Sequence, residues 1–289
     1  MPNTTRSFFD TFTRDEATLM ETIMAEVKDA PWAQPILKDI ATHGGLCPEN
    51  MDRFFELRQG YALLKARVAT RYEVPGEGDS TLDFGFASSG RDWNVEMMRL
   101  NETEGVKAAT HSHTAGDGTV WTSRILGLGS QDKKQTSEGE TLKAIQRICQ
   151  KCEKGGKPHK FKVPNSQLNA LLVDMRTFQN GGDGFDRIHI ALGGAYVPEQ
   201  YRMYWGEGKD RRLVSGVFSP ENSMKGASEA RDRMHFIGFV NERTFAPDAY
   251  QDAIVFVANP HLFKDEAEMR AAIETWPFKK KIVLNGKPK

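Results

Sequence analysis

Asp83 and Glu96 are the two residues whose types and spacing could do chemistry together. Each lies in a run where apolar and polar residues alternate, Thr81 to Phe86 and Asp92 to Leu100, as in two β-strands. The connection between the runs, Ala87 to Arg91, contains Ser and Gly and has the composition of a β-hairpin turn. The sequence therefore predicts a hairpin that carries one carboxylate on each strand.

The position of the turn decides how close the two carboxylates lie. A two-residue turn at Ser89-Gly90 puts Asp83 directly opposite Glu96, with Cβ atoms ~4.5–5.5 Å apart. A turn at Gly90-Arg91 instead makes the pair diagonal, ~7–8 Å apart. Both arrangements leave the carboxylates within reach of one ion.

Two like charges at this spacing repel each other and destabilise a sheet unless something compensates them. A hard divalent cation such as Mg²⁺ or Mn²⁺ would do so, and it could activate a water to attack a phosphate. The alternative is that Asp83 and Glu96 simply face solvent on a half-exposed sheet.

The elements around the hairpin can be predicted from hydrophobic spacing. A helix is expected over residues 49 to 66, a short strand over 72 to 74, a second helix over 138 to 154, and a buried strand over 169 to 178. Helix, strand, hairpin, helix and strand therefore follow one another along the chain.

This order, with Asp83 in an apolar strand and Glu96 in Trp93-Asn94-Val95-Glu96-Met97-Met98, resembles the PD-(D/E)xK restriction-endonuclease-like superfamily. The resemblance covers roughly residues 49 to 180. It implies an α/β fold with a small mixed β-sheet flanked by helices. It also implies that Asp83 and Glu96 bind Mg²⁺ (or Mn²⁺), and that Glu56 on the preceding helix is an accessory acid, although ordinary helix surface is an equal alternative for Glu56.

The sequence departs from the family pattern at the lysine that should follow the glutamate by two residues. That position is Met98. Some members of the superfamily carry this lysine, or a glutamine, on the following helix. By that resemblance Lys151 is the candidate catalytic cation and Gln146 a supporting polar group, while Met98 also leaves open an inactive fold.

A basic segment lies from Lys133 to Lys162, where eight Lys and one Arg stand against three Glu. Its densest part contains Lys154, Lys157 and Lys160, which are candidates for contacting the phosphates of a nucleic acid. A solvated helix end explains the same residues, since Lys favours a helix C-terminus and Gly155 is a normal C-cap.

Two other pairs of metal-binding residue types are better explained without a metal. Cys149 and Cys152 lie on the apolar stripe of the predicted 138–154 helix, so they are predicted to pack in the core rather than bind zinc. His111 and His113 lie in residues 101 to 137, a polar, Gly-rich segment that reads as a long surface loop.

Composition restricts the class of protein. Lys and Arg balance Asp and Glu at 39 each, which excludes a uniformly basic nucleic-acid coat. No apolar run reaches the ~18 residues of a membrane span, and the start of the chain lacks a secretory signal. Three cysteines exclude a disulfide scaffold and favour a cytoplasmic location.

We predict three segments: an N-terminal helical extension (1–45), a nuclease-like α/β domain (46–263), and a C-terminal helix with a flexible basic tail (264–289). Further strands are predicted at 186–192, 212–218, 235–240 and 253–258, and the last helix at 264–275.

The function expected from these features is metal-dependent hydrolysis of phosphodiester bonds, with DNA as the favoured substrate. The alternative is a catalytically inactive nuclease fold that binds nucleic acid or protein. A third reading is that Phe8, Phe9, Phe12 and Met20 of the helical extension dock a protein partner or a second copy, forming a homodimer.

Overall fold

A computed structural model describes residues 12–124, 136–178, 181–196, 212–284 and 287–288. Within these residues the chain is mixed α/β. Its helices are α1 (Arg14–Val27), α2 (Gln34–Thr42), α3 (Met51–Lys65), α4 (Glu104–Ala108), α5 (Ser137–Lys151), α6 (Gly184–Ala191), α7 (Ala227–Arg233), α8 (Ala249–Asp252) and α9 (Glu266–Glu274).

The strands divide into one large sheet and three small hairpins. The hairpins are β4 (Thr110–Thr114) with β5 (Val120–Arg124), β6 (Glu153–Lys154) with β7 (Lys157–Pro158), and β9 (Gly194–Tyr196) with β10 (Arg212–Val214). The large sheet contains β1 (Thr70–Pro75), β2 (Thr81–Ser88), β3 (Arg91–Arg99), β8 (Leu168–Asp174), β11 (Phe236–Val240), β12 (Ile254–Ala258), β13 (Lys281–Leu284) and β14 (Lys287–Pro288).

The large sheet is mixed, with the strand order β1-β2-β3-β8-β11-β12-β13-β14. Strands β3, β8 and β11 run parallel in its centre, and β1 to β3 form an antiparallel meander on one side. Every residue of the central strand β8 is buried, as expected for a strand covered on both faces. The prediction of a mixed sheet flanked by helices is confirmed, but with eight strands among the described residues the sheet is larger than the small one predicted.

Two apolar clusters cover the two faces of this sheet. The first joins α1, α2, α3 and α9 to Trp93, Val95 and Met97 of β3. The second joins α5, α6 and α7 to Met98 of β3 and to Leu171 and Val173 of β8. Since neighbouring residues of a strand point to opposite faces, β3 separates α3 from α5, and Glu96 points to the side of Met98 and α5.

Strand β2 departs from regular alternation beside Asp83. Leu82 packs in the second cluster and Phe84 in the first, although residues two apart should share a face. The neighbouring Glu73 of β1 has a left-handed φ of 53°, which is strained for a residue with a side chain. The meander therefore twists sharply at Asp83, which bears on the site described below.

Several element predictions were wrong. Residues 184–191 form helix α6, not a strand, and only Arg212–Val214 of the 212–218 segment is a strand. The segment predicted as a loop after residue 100 contains α4 and the β4–β5 hairpin, and residues 125–135 lie outside the described residues. Lys281–Leu284 of the predicted flexible tail pair in parallel with β12.

The helical extension is occupied by contacts within its own chain. Met20 is fully buried in the first cluster, and the ring of Phe12 stacks on Phe54 with centroids 5.1 Å apart. Met20 is therefore not available to a partner, and Phe12 is partly covered within the chain. Phe8 and Phe9 lie outside the described residues.

A buried histidine makes stability depend on pH. Nδ1 of His235 accepts the backbone N–H of Asn169 at 3.0 Å, so the ring is held neutral. Burial lowers the pKa of His235 to about 4, against the attraction of Glu268. The unfolded chain, with an ordinary histidine pKa of 6.5, takes up the proton first as the pH falls.

We therefore expect His235 to reduce the free energy of unfolding as the pH falls from 6.5 to about 4. The full loss is on the order of 3 kcal/mol, because each unit of pKa difference contributes about 1.4 kcal/mol. Urea unfolding across this range should show a shallower pH dependence in His235→Gln than in the unmodified chain. His43→Gln, at an exposed position, is the control, and identical pH profiles for His235→Gln and the unmodified chain would contradict the prediction.

Candidate active site at the β2–β3 hairpin

The hairpin turn is the first of the two that the sequence allows. Ser89 and Gly90 both have left-handed backbone angles (φ of 48° and 76°), the geometry of a two-residue hairpin turn. The ladder runs from Ser88 opposite Arg91 to Phe84 opposite Val95 and ends there, where β2 departs from regular alternation. Asp83 is the next residue of β2, and it lies close enough to Glu96 for the charge of Glu96 to raise the pKa of Asp83.

Glu96 is buried, with 1% of its side chain exposed, and two lysines contact it. Nζ of Lys151 lies 2.8 Å and Nζ of Lys160 lies 3.0 Å from the same oxygen, Oε1. The other oxygen, Oε2, is buried and has no hydrogen-bond partner. A buried polar atom without a partner is costly, so one half of this carboxylate is left unsatisfied.

Asp83 lies where β2 twists, and it accepts the backbone N–H of Met97 at 2.6 Å. Burial raises the pKa of Asp83 well above its ordinary value, and the nearby charges of Glu96 and Glu56 raise it further. The Met97 hydrogen bond and Lys160 oppose this effect. Burial and the two neighbouring carboxylates thus favour the neutral form of Asp83.

Glu56 approaches this pair from α3, on the other side of the sheet. Its Oε2 accepts the hydroxyl of Tyr72 at 2.5 Å, and its Oε1 accepts Nη1 of Arg53 at 2.8 Å. Burial raises the pKa of Glu56, although both hydrogen bonds lower it. Arg53 also pairs with Asp39, so a chain of polar contacts runs from Glu56 toward the protein surface.

The two lysines reach Glu96 from different backbone settings. Lys151 is the last residue of α5, which begins at the N-cap Thr136, whose side chain accepts the N–H of Gly139. Burial lowers the pKa of Lys151, but the attraction of Glu96 outweighs it and leaves that pKa raised. Lys160 has a strained left-handed φ of 65°, and its Nζ also donates to the carbonyl of Thr81 at 2.7 Å.

These side chains line a cleft of about 890 Å³ that α3 borders on one side and α5 on the other. Its volume is within the range of small-molecule and cofactor sites. Asp83, Glu96, Lys151, Lys160 and Glu56 all line it. The structure therefore brings together four predicted catalytic residues and Lys160, which the sequence assigned to phosphate binding.

The remaining predicted residues lie elsewhere. Gln146 is exposed and does not line the cleft, whereas Gln150 does. Lys154 and Lys157 face each other across the exposed β6–β7 turn. Cys149 and Cys152 are buried in the second cluster, as their spacing predicted.

Sequence reasoning missed Tyr72 and Arg53, and it missed that Lys160, predicted to contact phosphate, contacts Glu96. Tyr72 and Arg53 hold Glu56, and Lys160 holds Glu96, through contacts between residues far apart in the chain. No local spacing carries that information. One feature of the sequence could have pointed to Lys160. The Gly155-Gly156 turn reverses the chain, so the short segment that contains Lys160 returns toward the hairpin.

The donor set fits a hard divalent cation bound largely through water. Among the described residues no group of three or more His, Cys, Asp or Glu side chains is arranged to hold a metal. Mg²⁺, however, is typically held by one or two carboxylates, with water and substrate phosphate completing its shell. The unpartnered Oε2 of Glu96 and the neighbouring Asp83 offer carboxylate oxygens of the kind that such an ion takes.

No helix in the described part of the chain is long and apolar enough to cross a membrane. No protein-family model matches the chain, and neither does any curated protein or solved structure.

Proposed function

We propose that this chain is a nuclease that uses Mg²⁺ or Mn²⁺ to hydrolyse phosphodiester bonds, as a divergent member of the PD-(D/E)xK restriction-endonuclease-like superfamily. The observation that carries the proposal is the neighbouring carboxylates of Asp83 and Glu96 in one cleft, with Lys151 and Lys160 on one oxygen of Glu96. The mixed sheet with helices on both faces is consistent with such a core.

Lys151 supports an active enzyme despite Met98. Met98 packs in the second apolar cluster and does not supply a charge, but the helix that follows brings the Lys151 ammonium to Glu96. A third of the Lys151 side chain is exposed, so it can contact a phosphate in the cleft without breaking the core. This is the placement that the resemblance implies for members whose lysine has moved to the helix.

The proposed roles follow from the contacts. Asp83 and Glu96 would hold the ion, which would lower the pKa of a water and stabilise charge on the phosphate. Lys151 donates to a phosphate oxygen and orients that water, while Lys160 fixes the Glu96 carboxylate from its anchored position on Thr81. The water oxygen would bond to phosphorus and lose a proton to solvent, one P–O ester bond would break, and the leaving oxygen would take up a proton from solvent.

Cleavage assays would test the proposal. Plasmid, linear duplex and single-stranded substrates are incubated with Mg²⁺, Mn²⁺ or a chelator. Cleavage that requires the metal supports a nuclease. Cleavage that persists with the chelator would contradict a metal-dependent mechanism.

The second candidate is a nuclease fold that binds nucleic acid without cutting it, and Met98 at the motif position favours it. It predicts no metal-dependent cleavage of any substrate. It also predicts binding that weakens with salt, with a log–log slope set by the number of phosphates contacted. Salt-insensitive binding would count against it.

The two lysines on Glu96 should differ in their effect on turnover. We expect Lys151→Ala to lower kcat about a hundredfold, because it removes a positioned charge that faces the reacting phosphate. Lys160→Ala should lower kcat about tenfold and raise the Mg²⁺ concentration needed for half-maximal rate, because Lys160 is tied to Thr81 and acts on Glu96.

Initial rates over a Mg²⁺ titration would separate the two effects. Lys225→Ala is the matched control, since Lys225 also pairs with a buried glutamate, Glu153, at 3.3 Å, but neither residue lines the cleft. Full activity in Lys151→Ala would remove this lysine from the proposed mechanism.

A further inference from the structure

The charges that line the cleft are distributed unequally between its two sides. On the α5 side lie Arg147, Lys151 and Lys160. On the α2–α3 side four carboxylates stand against one arginine, namely Asp39, Glu49, Asp52, Glu56 and Arg53. A polyanion is therefore attracted to the α5 side and repelled from the other.

The cations of α5 form a track along one face of the helix. Lys143, Arg147 and Lys151 are four residues apart, so they lie on one face, and Glu140 begins the same row. At ~1.5 Å per residue this row extends roughly 16 Å from Glu140 to Lys151. The track thus leads from the cleft toward the start of α5.

The chain segment that leaves the cleft is hydrogen-bonded to the start of this track. Asn101 lines the cleft, and two residues later Thr103 donates its hydroxyl to Glu140 at 2.6 Å. Thr103 is also the N-cap of α4, which leads directly into the β4–β5 hairpin. The hairpin therefore begins close to the far end of the basic track.

One face of the β4–β5 hairpin presents aromatic rings to solvent. His113 is directly opposite Trp121, and His111 is opposite Ser123. All four side chains are exposed, and 66% of Trp121 is accessible. An exposed indole flanked by imidazoles is a platform on which a nucleobase can stack, provided that the base is not already paired and stacked in a duplex.

We infer that the substrate of the proposed nuclease is an unpaired nucleic-acid strand, whose phosphates follow the basic track and whose base stacks on Trp121. The inference rests on the proposed function for its class of ligand. The acidic α2–α3 side disfavours the second backbone of a duplex, and the stacking platform requires a free base. The acidic α2–α3 side and the hairpin thus both select for single strands, while the α5 track binds the phosphates.

Binding measured without divalent metal tests the inference independently of catalysis. Fluorescence anisotropy with a labelled single-stranded oligonucleotide should give an affinity at least tenfold tighter than with the same sequence as a duplex. Trp121→Ala should weaken single-strand binding about tenfold and leave duplex binding unchanged. Phe185→Ala, at another exposed aromatic residue, is the matched control and should have no effect.

A salt titration should show that Arg147→Ala lowers the log–log slope by about one, since it removes one phosphate contact. Equal affinity for duplex and single strand, or unchanged binding by Trp121→Ala, would overturn the inference. If duplex is nevertheless cleaved in a metal-dependent way, the proposed nuclease activity is supported and only the single-strand inference fails. If single strands bind but nothing is cleaved, the proposed catalysis fails and the stacking site is supported.

Discussion

Glu96→Gln is expected to lower metal-dependent cleavage about a thousandfold or more. The substitution keeps the shape of the side chain but removes the charge of a proposed metal ligand. A Lewis-acid metal contributes several kcal/mol to the reaction barrier, and ~4 kcal/mol corresponds to a factor of about a thousand in rate. Initial rates at saturating Mg²⁺ on a substrate that the unmodified chain cuts would measure the effect.

The fold should survive this substitution, which keeps the result interpretable. Lys151 and Lys160 lose their ion pair, but both remain partly exposed and can be hydrated. Glu153→Gln is the control, because Glu153 is also buried and lysine-paired but does not line the cleft, and its rate should be unchanged. A folded Glu96→Gln variant that cuts within tenfold of the unmodified rate would refute the proposed metal site.

The hairpin shows what local sequence can predict. Ser89-Gly90 is one of the two turns that the five connecting residues allowed, and it sets the ladder from Ser88–Arg91 to Phe84–Val95. The sequence predicted the hairpin and left the choice between the two turns open. The twist at Asp83 could not be predicted from these residues, because it depends on the strained Glu73 in the neighbouring strand.

Helix α6 shows where local sequence misleads. Asp186 to Leu192 alternates in the manner of a strand. The side chain of Asp183, however, accepts the backbone N–H groups of Phe185 and Asp186, and the side chain of Asp186 accepts the backbone N–H of Asp183. This reciprocal cap fixes the first turn of a helix. The capping signal was present in the sequence, and periodicity over seven residues was too short to outweigh it.

The cleft itself depended on contacts that no spacing reveals. Lys151 could be suggested only through the family resemblance. Lys160 reaches Glu96 because the chain reverses after β7 and takes a left-handed backbone conformation at Lys160 itself. Local spacing likewise does not predict the buried ion pairs of the core. One of them, between Arg58 and Glu242, links α3 to the segment after β11 across 184 residues of sequence.

That pair is almost entirely removed from water. Arg58 donates from Nε to one oxygen of Glu242 at 2.7 Å and from Nη2 to the other, and Nη2 also donates to the carbonyl of Ala246. Only 2% of the Arg58 side chain is exposed, and its guanidinium lies over the ring of Phe245. Burial raises the pKa of Glu242 to about 7, although Arg58 lowers it.

Arg58→Met is expected to lower the free energy of unfolding by about 3–5 kcal/mol, because it leaves the Glu242 carboxylate buried without its partner. Arg58→Met with Glu242→Leu should recover most of that loss, since no buried charge then remains. Arg270→Met, in an exposed pair with Glu266, is the control and should cost under about 1 kcal/mol. Urea denaturation measures all three.

The pH dependence of the single variant adds a check on the cause. The folded-state pKa of Glu242 is raised above the unfolded value of 4.5, so its contribution to stability is fully present below pH 4.5 and is lost as the pH rises through about 7. Without Arg58 the folded-state pKa of Glu242 rises further. The loss of unfolding free energy in Arg58→Met should therefore be larger at pH 8 than at pH 5. An equal deficit at both pH values, or a double variant as unstable as the single one, would show that Arg58 stabilises the fold through its packing on Phe245 rather than through the charge of Glu242.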